Sequence, residues 1–159
     1  NKTCSFRYPR YLAHDYNNNY KFQKITIGKG KVIKNGKKIV FLNLGTRLKK
    51  VLEISELIKK NYKLDCSIID MRFAKPIDVK LLQKLKKNHN IFVTIEENAI
   101  GGFSSQVNDF LINKLNDTPK ILNFFMKDEF IDQSDIDDQY SKSGISPKII
   151  YEKLIKFLK

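Results

Sequence analysis

The stretch Lys38–Leu44, which reads Lys-Ile-Val-Phe-Leu-Asn-Leu, is a nearly continuous apolar run that ends at Gly45-Thr46. A run of this kind is typical of a strand that is buried on both faces of a parallel sheet. The next segment, 47–61, repeats apolar residues at helical spacing, and Thr46 is predicted to cap that helix. The residues predicted to face inward are Leu48, Val51, Leu52, Leu57 and Ile58.

The pattern of a strand followed by a helix continues toward the C-terminus. Three further strands are predicted, at 63–70, 90–95 and 120–125. Asp78 is predicted to cap a helix that runs to Lys87, and Ser146-Pro147 is a typical start for the closing helix, because Ser caps well and Pro suits the first helical position. This alternation predicts a three-layer α/β fold with a mostly parallel sheet and helices on both faces.

Upstream of the central strand, glycines divide the chain into short pieces. Gly28 and Gly30 precede Val32-Ile33, and Asn35-Gly36 separates that piece from the central strand. Asn-Gly suits the positive φ angles of a type I′ turn, so we predict a hairpin between these two strands. The hairpin would add an antiparallel edge to the sheet.

Length and charge restrict the classes of protein that are plausible. The chain has 159 residues and a net charge of +13, which fits one domain with a basic surface. Of its 30 basic residues only four are arginines, and the lysines are spread along the whole chain. Arginine is the residue suited to bidentate contacts with phosphate and guanine. We therefore expect no nucleic-acid partner.

Cysteine and histidine indicate no reactive or metal site. Cys4 and Cys66 are too few for a disulfide framework and fit no zinc-ligand spacing, so we expect two inert thiols. His14 and His89 have no visible partner in the sequence and are predicted to lie on the surface. No apolar run approaches the roughly 18 residues of a membrane span, so no membrane contact is expected.

Loops at the carboxyl ends of the predicted strands are the places where an α/β sheet binds ligands. Glu96-Glu97 follows one strand and could do acid–base chemistry, or one carboxylate could cap a helix while the other faces water. Asp70 and Arg72 follow another strand; such a pair more often ties a loop down than acts in catalysis. No glycine-rich dinucleotide motif follows a strand.

Four segments, taken together, carry a resemblance to a known family. The 70–78 segment reads Asp-Met-Arg-Phe-Ala-Lys-Pro-Ile-Asp, and the 93–103 segment reads Val-Thr-Ile-Glu-Glu-Asn-Ala-Ile-Gly-Gly-Phe. Phe-Arg-Tyr-Pro-Arg at 6–10 precedes them, and Asp-Glu-Phe-Ile at 128–131 follows them. In this order and spacing they resemble the C-terminal part of the 1-deoxy-D-xylulose-5-phosphate synthases, a transketolase-like family that depends on thiamine diphosphate.

The resemblance implies a division of the chain and a reaction. Residues 1–10 would be the last strand of the preceding pyrimidine-binding domain, 11–24 a linker, and 25–159 a transketolase C-terminal domain-like unit. The family condenses pyruvate, with decarboxylation, and D-glyceraldehyde 3-phosphate, for isoprenoid precursor, thiamine and pyridoxal phosphate biosynthesis. Thiamine diphosphate and Mg²⁺ would be bound by missing N-terminal and middle domains. This chain alone is expected to bind no cofactor or metal and to be inactive, and the whole enzyme is expected to be a homodimer.

One substrate contact follows from the same resemblance. Arg10, the second arginine of Arg-Tyr-Pro-Arg, would bind the phosphate of glyceraldehyde 3-phosphate, and Arg7 has a weaker case for the same role. Tyr11 stands where the family usually has glycine, which alters the exit from the motif. No catalytic residue is assigned in this chain, including at Arg72, Glu96, Glu97 and Asn98. The family implies a plastid (apicoplast-like) location in a eukaryote and the cytoplasm in a bacterium.

Three alternatives remain open at this point. Transketolase itself and the beta subunit of a 2-oxo acid dehydrogenase share the same kind of C-terminal domain. The 70–78 and 96–102 segments fit the dehydrogenase subunit less well. A non-catalytic basic binding module is the third alternative, and it predicts retention on a polyanion that weakens with salt.

Overall fold

The computed structural model describes residues 3–5 and 24–158, which form five strands and five helices. The strands are β1 (Lys31–Lys34), β2 (Lys38–Asn43), β3 (Ser67–Asp70), β4 (His89–Ile95) and β5 (Lys120–Phe124). The helices are α1 (Leu48–Tyr62), α2 (Val79–Lys86), α3 (Phe103–Asn113), α4 (Ile136–Lys142) and α5 (Pro147–Leu158). The strand order in the sheet is β1-β3-β2-β4-β5, and all pairs except β1 with β3 are parallel.

The central strand β2 has both faces buried, as its apolar run predicts. Ile39 and Phe41 belong to one core cluster, together with buried residues of α1 and α5. Val40 and Leu42 alternate with them and belong to a second cluster, with buried residues of α2 and α3. Successive side chains of a strand point to opposite faces, so helices on both sides require an apolar residue at every position. The predicted three-layer α/β fold, with a mostly parallel sheet, is confirmed.

The first strand lies at an antiparallel edge, but the predicted hairpin is wrong. Val32 of β1 pairs with Ile69 of β3, and β2 lies on the other side of β3. The connection crosses the amino end of β3, where the Lys37 N–H donates to the Asp65 carbonyl at 2.8 Å. Gly36 presses against the same backbone, leaving no room for a side chain there. Its φ is not positive, so the expected type I′ turn is absent from these described residues.

Helix α1 differs from the prediction at its start and in its inward face. Arg47 occupies the N-cap position without a side-chain capping bond, and the Thr46 hydroxyl donates to Glu97 instead. Leu57, predicted to face inward, is 46% exposed, whereas Ile54 is buried between Val51 and Ile58. The helix therefore presents positions three and four residues apart to the core, and Leu57 lies off that stripe.

Asp78 caps α2 as predicted and also binds the segment that leads into β1. Its carboxylate accepts from the Leu81 N–H at 3.1 Å, which is the capping bond. The same carboxylate accepts from the Gly30 N–H and from Lys29 Nζ, each at 3.2 Å. Because these groups come from two distant parts of the chain, Asp78 holds residues 29–30 against the loop that follows β3.

His89 is buried, so its predicted surface position is wrong. Nδ1 lies 2.7 Å from the Leu85 carbonyl, and Nε2 lies 2.8 Å from Ser67 Oγ. A carbonyl only accepts, so Nδ1 carries a proton, and the ring bridges α2 and β3. The Cys66 thiol is buried, and desolvation raises its pKa to about 12, which agrees with the prediction of an unreactive thiol. Cys4 is exposed, and His14 lies outside the described residues.

Candidate functional site at the carboxyl edge of the sheet

The carboxyl ends of β3, β2, β4 and β5 meet along one side of the sheet because these four strands run parallel. We call this side the carboxyl edge. It consists of residues 44–47, 71–78, 96–102 and 125–135, together with 24–30, which lie against the loop after β3. Ligands of open α/β sheets bind at such an edge, so the polar side chains of these segments are the candidates for function.

Glu96 is fully buried and serves as an acceptor for the start of α3. Its two carboxylate oxygens accept from the N–H groups of Phe103 and Ser104, each at 2.7 Å. The carboxylate also lies so close to Gly102 that a side chain at that position would collide with it. A negative charge at a helix N-terminus is favourable, and here it also satisfies two orphan donors. Glu96 therefore acts as a helix cap, which was one of the two predicted possibilities.

Glu97 links the loop after β4 to the loop after β2 and to helix α4 through one oxygen. Its Oε1 accepts from the Thr46 hydroxyl at 2.6 Å and from the Tyr140 hydroxyl at 2.5 Å. The Arg47 guanidinium stacks 3.6 Å from the centroid of the Tyr140 ring, and its Nη2 lies 3.5 Å from the Ile145 carbonyl oxygen. We call Thr46, Arg47, Glu97 and Tyr140 the Glu97 cluster. It ties α4 to the ends of β2 and β4.

Sequence reasoning missed two members of the Glu97 cluster. Arg47 directly follows the central strand and its Gly-Thr end, and that position was the available signal for it. Tyr140 belongs to a polar helix far along the chain, and nothing local in the sequence connects it to Glu97. With Glu96 capping a helix and Glu97 holding two hydroxyls, both carboxylates have structural partners.

The Glu97 cluster gives the protein an alkaline dependence of stability. Burial, followed by the hydrogen bond to the Glu97 carboxylate, raises the pKa of Tyr140 above its ordinary value of 10.0. A raised folded-state pKa contributes stability that is complete below the unfolded pKa and is lost as the pH rises through the folded one. We expect Tyr140→Phe to reduce the loss of unfolding free energy above about pH 10. Urea unfolding across that range, with the exposed Tyr62→Phe as control, measures the effect; identical pH profiles for both variants would contradict it.

Asp70 and Arg72 come together after β3, as an ion pair within the loop. Arg72 Nε lies 3.5 Å from Asp70 Oδ2, and each side chain is 27% exposed. The Arg72 backbone has a φ of 60°, a left-handed conformation that costs a residue other than glycine about 1–3 kcal/mol. The pair ties the loop down, and part of the Arg72 side chain stays exposed at the carboxyl edge.

Arg7 and Arg10 lie outside the described residues, and so do most of the predicted preceding strand and linker. Among residues 3–5 and 24–158, no three His, Cys, Asp or Glu side chains cluster closely enough to hold a metal ion. None of the helices in that part of the chain is long and apolar enough to cross a membrane.

This three-layer α/β domain, with its polar clusters at the carboxyl edge, is similar to known transketolase C-terminal domains. The family model described as "Transketolase, C-terminal domain" matches residues 28–150, and the chain belongs to this family. Similar curated proteins are named 1-deoxy-D-xylulose-5-phosphate synthase. The one from Blochmanniella floridana is 37% identical over 96% of this chain and 25% of its own length. The one from Shewanella denitrificans is 40% identical over 96% of this chain and 24% of its own length.

The chain spans about a quarter of the length of these curated relatives. Among solved structures, one described as "Split gene transketolase, inactive beta4 tetramer" matches with a TM-score of 0.76 and 26% identity. The match covers 84% of this chain and 43% of the length of that structure's chain. A transketolase variant from Pichia stipitis has a TM-score of 0.58 at 10% identity, covering 81% of this chain and 18% of its own, and shares the fold alone.

Proposed function

We propose that this chain is the C-terminal domain of a 1-deoxy-D-xylulose-5-phosphate synthase, which joins pyruvate, with loss of carbon dioxide, to D-glyceraldehyde 3-phosphate. One observation carries the proposal: relatives with that name align with 94–99% of this chain at 34–40% identity. Because the match covers about a quarter of each relative, we propose that the remainder of the enzyme consists of other domains.

We propose a positioning role for this chain, and the carboxylates of Glu96 and Glu97 have structural rather than catalytic contacts. Thiamine diphosphate, with Mg²⁺, supplies the chemistry that decarboxylates pyruvate, and the described residues contain no acidic or histidine cluster suited to the metal. Glu96 and Glu97 are occupied by structural hydrogen bonds. In line with the family that the sequence resembles, we propose that the preceding domains bind both cofactors and that this chain orients the second substrate.

Arg10 is the proposed ligand of the glyceraldehyde 3-phosphate phosphate group, with Arg7 as a weaker second candidate. A guanidinium presents a planar fork of donors that matches phosphate oxygens. Holding the phosphate would orient the aldehyde toward the two-carbon unit, which is a positioning contribution to the rate. The proposal rests on the match of Phe6–Arg10 to the family motif.

We propose that the Arg72 guanidinium also contacts glyceraldehyde 3-phosphate, from the carboxyl edge of the sheet. Three observations support it: the position after a parallel strand, the partly open side chain, and the strained backbone. Strained residues persist where the surrounding structure holds them, and they are frequent in ligand clamps. Asp70 pairs with Arg72 Nε, and the 27% exposure of the Arg72 side chain supports the proposal that an anion can also contact it.

Replacing Arg72 with glutamine in the whole enzyme should raise the KM for glyceraldehyde 3-phosphate by about tenfold, since a charged hydrogen bond contributes about 1.5 kcal/mol. The KM for pyruvate should change little. Arg72→Lys keeps the charge but loses the planar fork. Its KM for glyceraldehyde 3-phosphate should therefore lie between those of the unchanged enzyme and of Arg72→Gln. Steady-state kinetics with each substrate varied in turn separates these results, and equal increases in both KM values would remove Arg72 from the role.

The assembly and compartment of the enzyme are also part of the proposal. We propose a homodimer, in line with the family that the sequence resembles. We propose the plastid as its location if the source is a eukaryote and the cytoplasm if it is a bacterium.

The decisive experiment is an assay of the complete protein that carries this chain. Thiamine diphosphate, Mg²⁺ and pyruvate are supplied, and carbon dioxide release is followed with and without glyceraldehyde 3-phosphate. Formation of 1-deoxy-D-xylulose 5-phosphate is the expected result. Activity that requires a lipoyl acceptor would instead indicate a 2-oxo acid dehydrogenase subunit, and transfer between sugar phosphates would indicate a transketolase.

A further inference from the structure

The most exposed large apolar side chains of the described residues all lie on the carboxyl edge. They are Phe130, Ile27, Ile100 and Ile25, with exposures of 106%, 73%, 67% and 58%. Single exposed apolar residues are ordinary on a protein surface, but four that share one edge of the sheet make that edge a candidate interaction surface.

Each of these four residues is placed on the edge by a specific contact or connection. Gly28 lies against Pro76, and the Gly30 N–H bonds to Asp78, so Ile25 and Ile27 lie in the segment beside the loop after β3. Ile100 belongs to the loop after β4, and Phe130 to the segment after β5. They are thus distributed along the edge, from the β3 end to the β5 end of the parallel strands.

Backbone hydrogen bonds connect the segments that carry Ile100 and Phe130. The Met126 N–H donates to the Asn98 carbonyl at 2.9 Å, which joins the segment after β5 to the loop after β4. The Lys127 N–H donates to the Ser143 carbonyl at 3.3 Å, which joins the same segment to the end of α4. Phe130 therefore projects from a part of the edge that is anchored on two sides.

Charge indicates the chemistry of the surface that would cover Phe130. Asp128, Glu129 and Asp132 flank this side chain in the sequence, and Lys127 Nζ lies 3.2 Å from Glu129 Oε1, so the segment is net acidic although the chain as a whole carries a net charge of +13. Interfaces pair surfaces of opposite potential, so acidic neighbours favour a partner with an apolar socket and a lysine- or arginine-rich rim. A second copy of this lysine-rich chain also meets that description, so the path of the chain has to distinguish between the two partners.

The path of the chain indicates where that partner is attached. The residues that precede β1 reach the sheet at the carboxyl edge, through Lys29 and Gly30 on Asp78. A domain joined to the chain before this point is consequently connected on the side that carries Phe130. The curated relatives are about four times as long as this chain, so they contain enough additional protein to cover the edge.

We propose that the carboxyl edge, with Phe130 as its apolar anchor, is the surface on which the preceding domains of the same enzyme pack through a basic-rimmed socket. The proposal rests on the proposed function, because that function requires those domains. Aromatic side chains that fill a pocket on the partner dominate the stability of many interfaces. Packing on this edge also brings the Arg72 loop to the boundary between the domains.

Hydroxyl-radical footprinting with mass spectrometry tests the proposal directly. In the 159-residue chain, Phe130 should be labelled strongly; in the complete protein its labelling should fall by about fivefold or more, as expected for an anchor removed from water. Ile112, exposed on α3 and away from the edge, is the internal control and should be labelled equally in both. Equal labelling of Phe130 in the two proteins would overturn the proposal.

A substitution gives a second and independent measurement. Phe130→Ser should lower the thermal midpoint of the complete protein by about 2 °C or more and leave that of the 159-residue chain unchanged, because the side chain is exposed there. Ile112→Ser should shift the thermal midpoint by the same amount in the complete protein and in the 159-residue chain. A complete protein that is insensitive to Phe130→Ser would contradict the anchor.

The outcomes separate this inference from the proposed function. Unprotected Phe130 in a complete protein that forms 1-deoxy-D-xylulose 5-phosphate would refute the docking surface alone. Protected Phe130 in a complete protein without that activity would refute the proposed function and retain the surface. Protection that grows with the concentration of the 159-residue chain by itself would assign the edge to self-association and overturn the inference.

Discussion

Replacing Glu96 with alanine is expected to lower the free energy of unfolding by about 2–4 kcal/mol, because two buried N–H groups lose their charged acceptor. These donors are the Phe103 and Ser104 amides at the start of α3, each 2.7 Å from the carboxylate. Since Glu96 is fully buried, water cannot replace it without a rearrangement of the loop. Urea denaturation of the 159-residue chain measures the loss.

Two further variants test whether the loss of stability comes from the capping role of Glu96. Glu96→Gln keeps one acceptor oxygen and removes the charge at the helix N-terminus, so its loss should be smaller than that of alanine. Glu152→Ala removes an exposed carboxylate on α5 and should change stability by less than about 0.5 kcal/mol. If Glu96→Ala destabilised the chain no more than Glu152→Ala, the capping role would be refuted.

Replacing Arg10 with alanine in the complete enzyme should lower kcat/KM for glyceraldehyde 3-phosphate by about 10- to 150-fold, which corresponds to about 1.5–3 kcal/mol for a charged hydrogen bond. The physical reason is the loss of a planar donor fork from the phosphate. The KM for pyruvate should remain nearly constant, because pyruvate has no phosphate. Steady-state kinetics with each substrate varied separately provides the measurement.

The control for Arg10 is a basic residue away from the proposed substrate face. Lys84, exposed on α2, can be replaced with alanine and should leave both substrates unaffected. Arg10→Lys should recover part of the loss, because it restores the charge without the fork. Equal losses for pyruvate and glyceraldehyde 3-phosphate after Arg10→Ala would show that Arg10 does not bind the phosphate.

The sequence predicted the fold class because the relevant signals are local. The apolar run of β2 and the helical spacing of α1 each depend on residues adjacent in the chain. Asp78 as the cap of α2 and Pro147 as the first residue of α5 are confirmed for the same reason. The motif around Glu96 resembled the right family, but a motif in itself does not state which atom accepts which hydrogen bond.

By itself, then, the sequence determined the layers of this protein, the order of most strands and helices, and the family to which it belongs. Tertiary structure alone decided that β1 pairs with β3, that His89 is buried, and that Tyr140 meets Glu97 and Arg47. The physical reason is the range of the interactions. Periodicity and capping arise between residues a few positions apart, whereas strand partners and buried polar contacts join residues that only packing brings together.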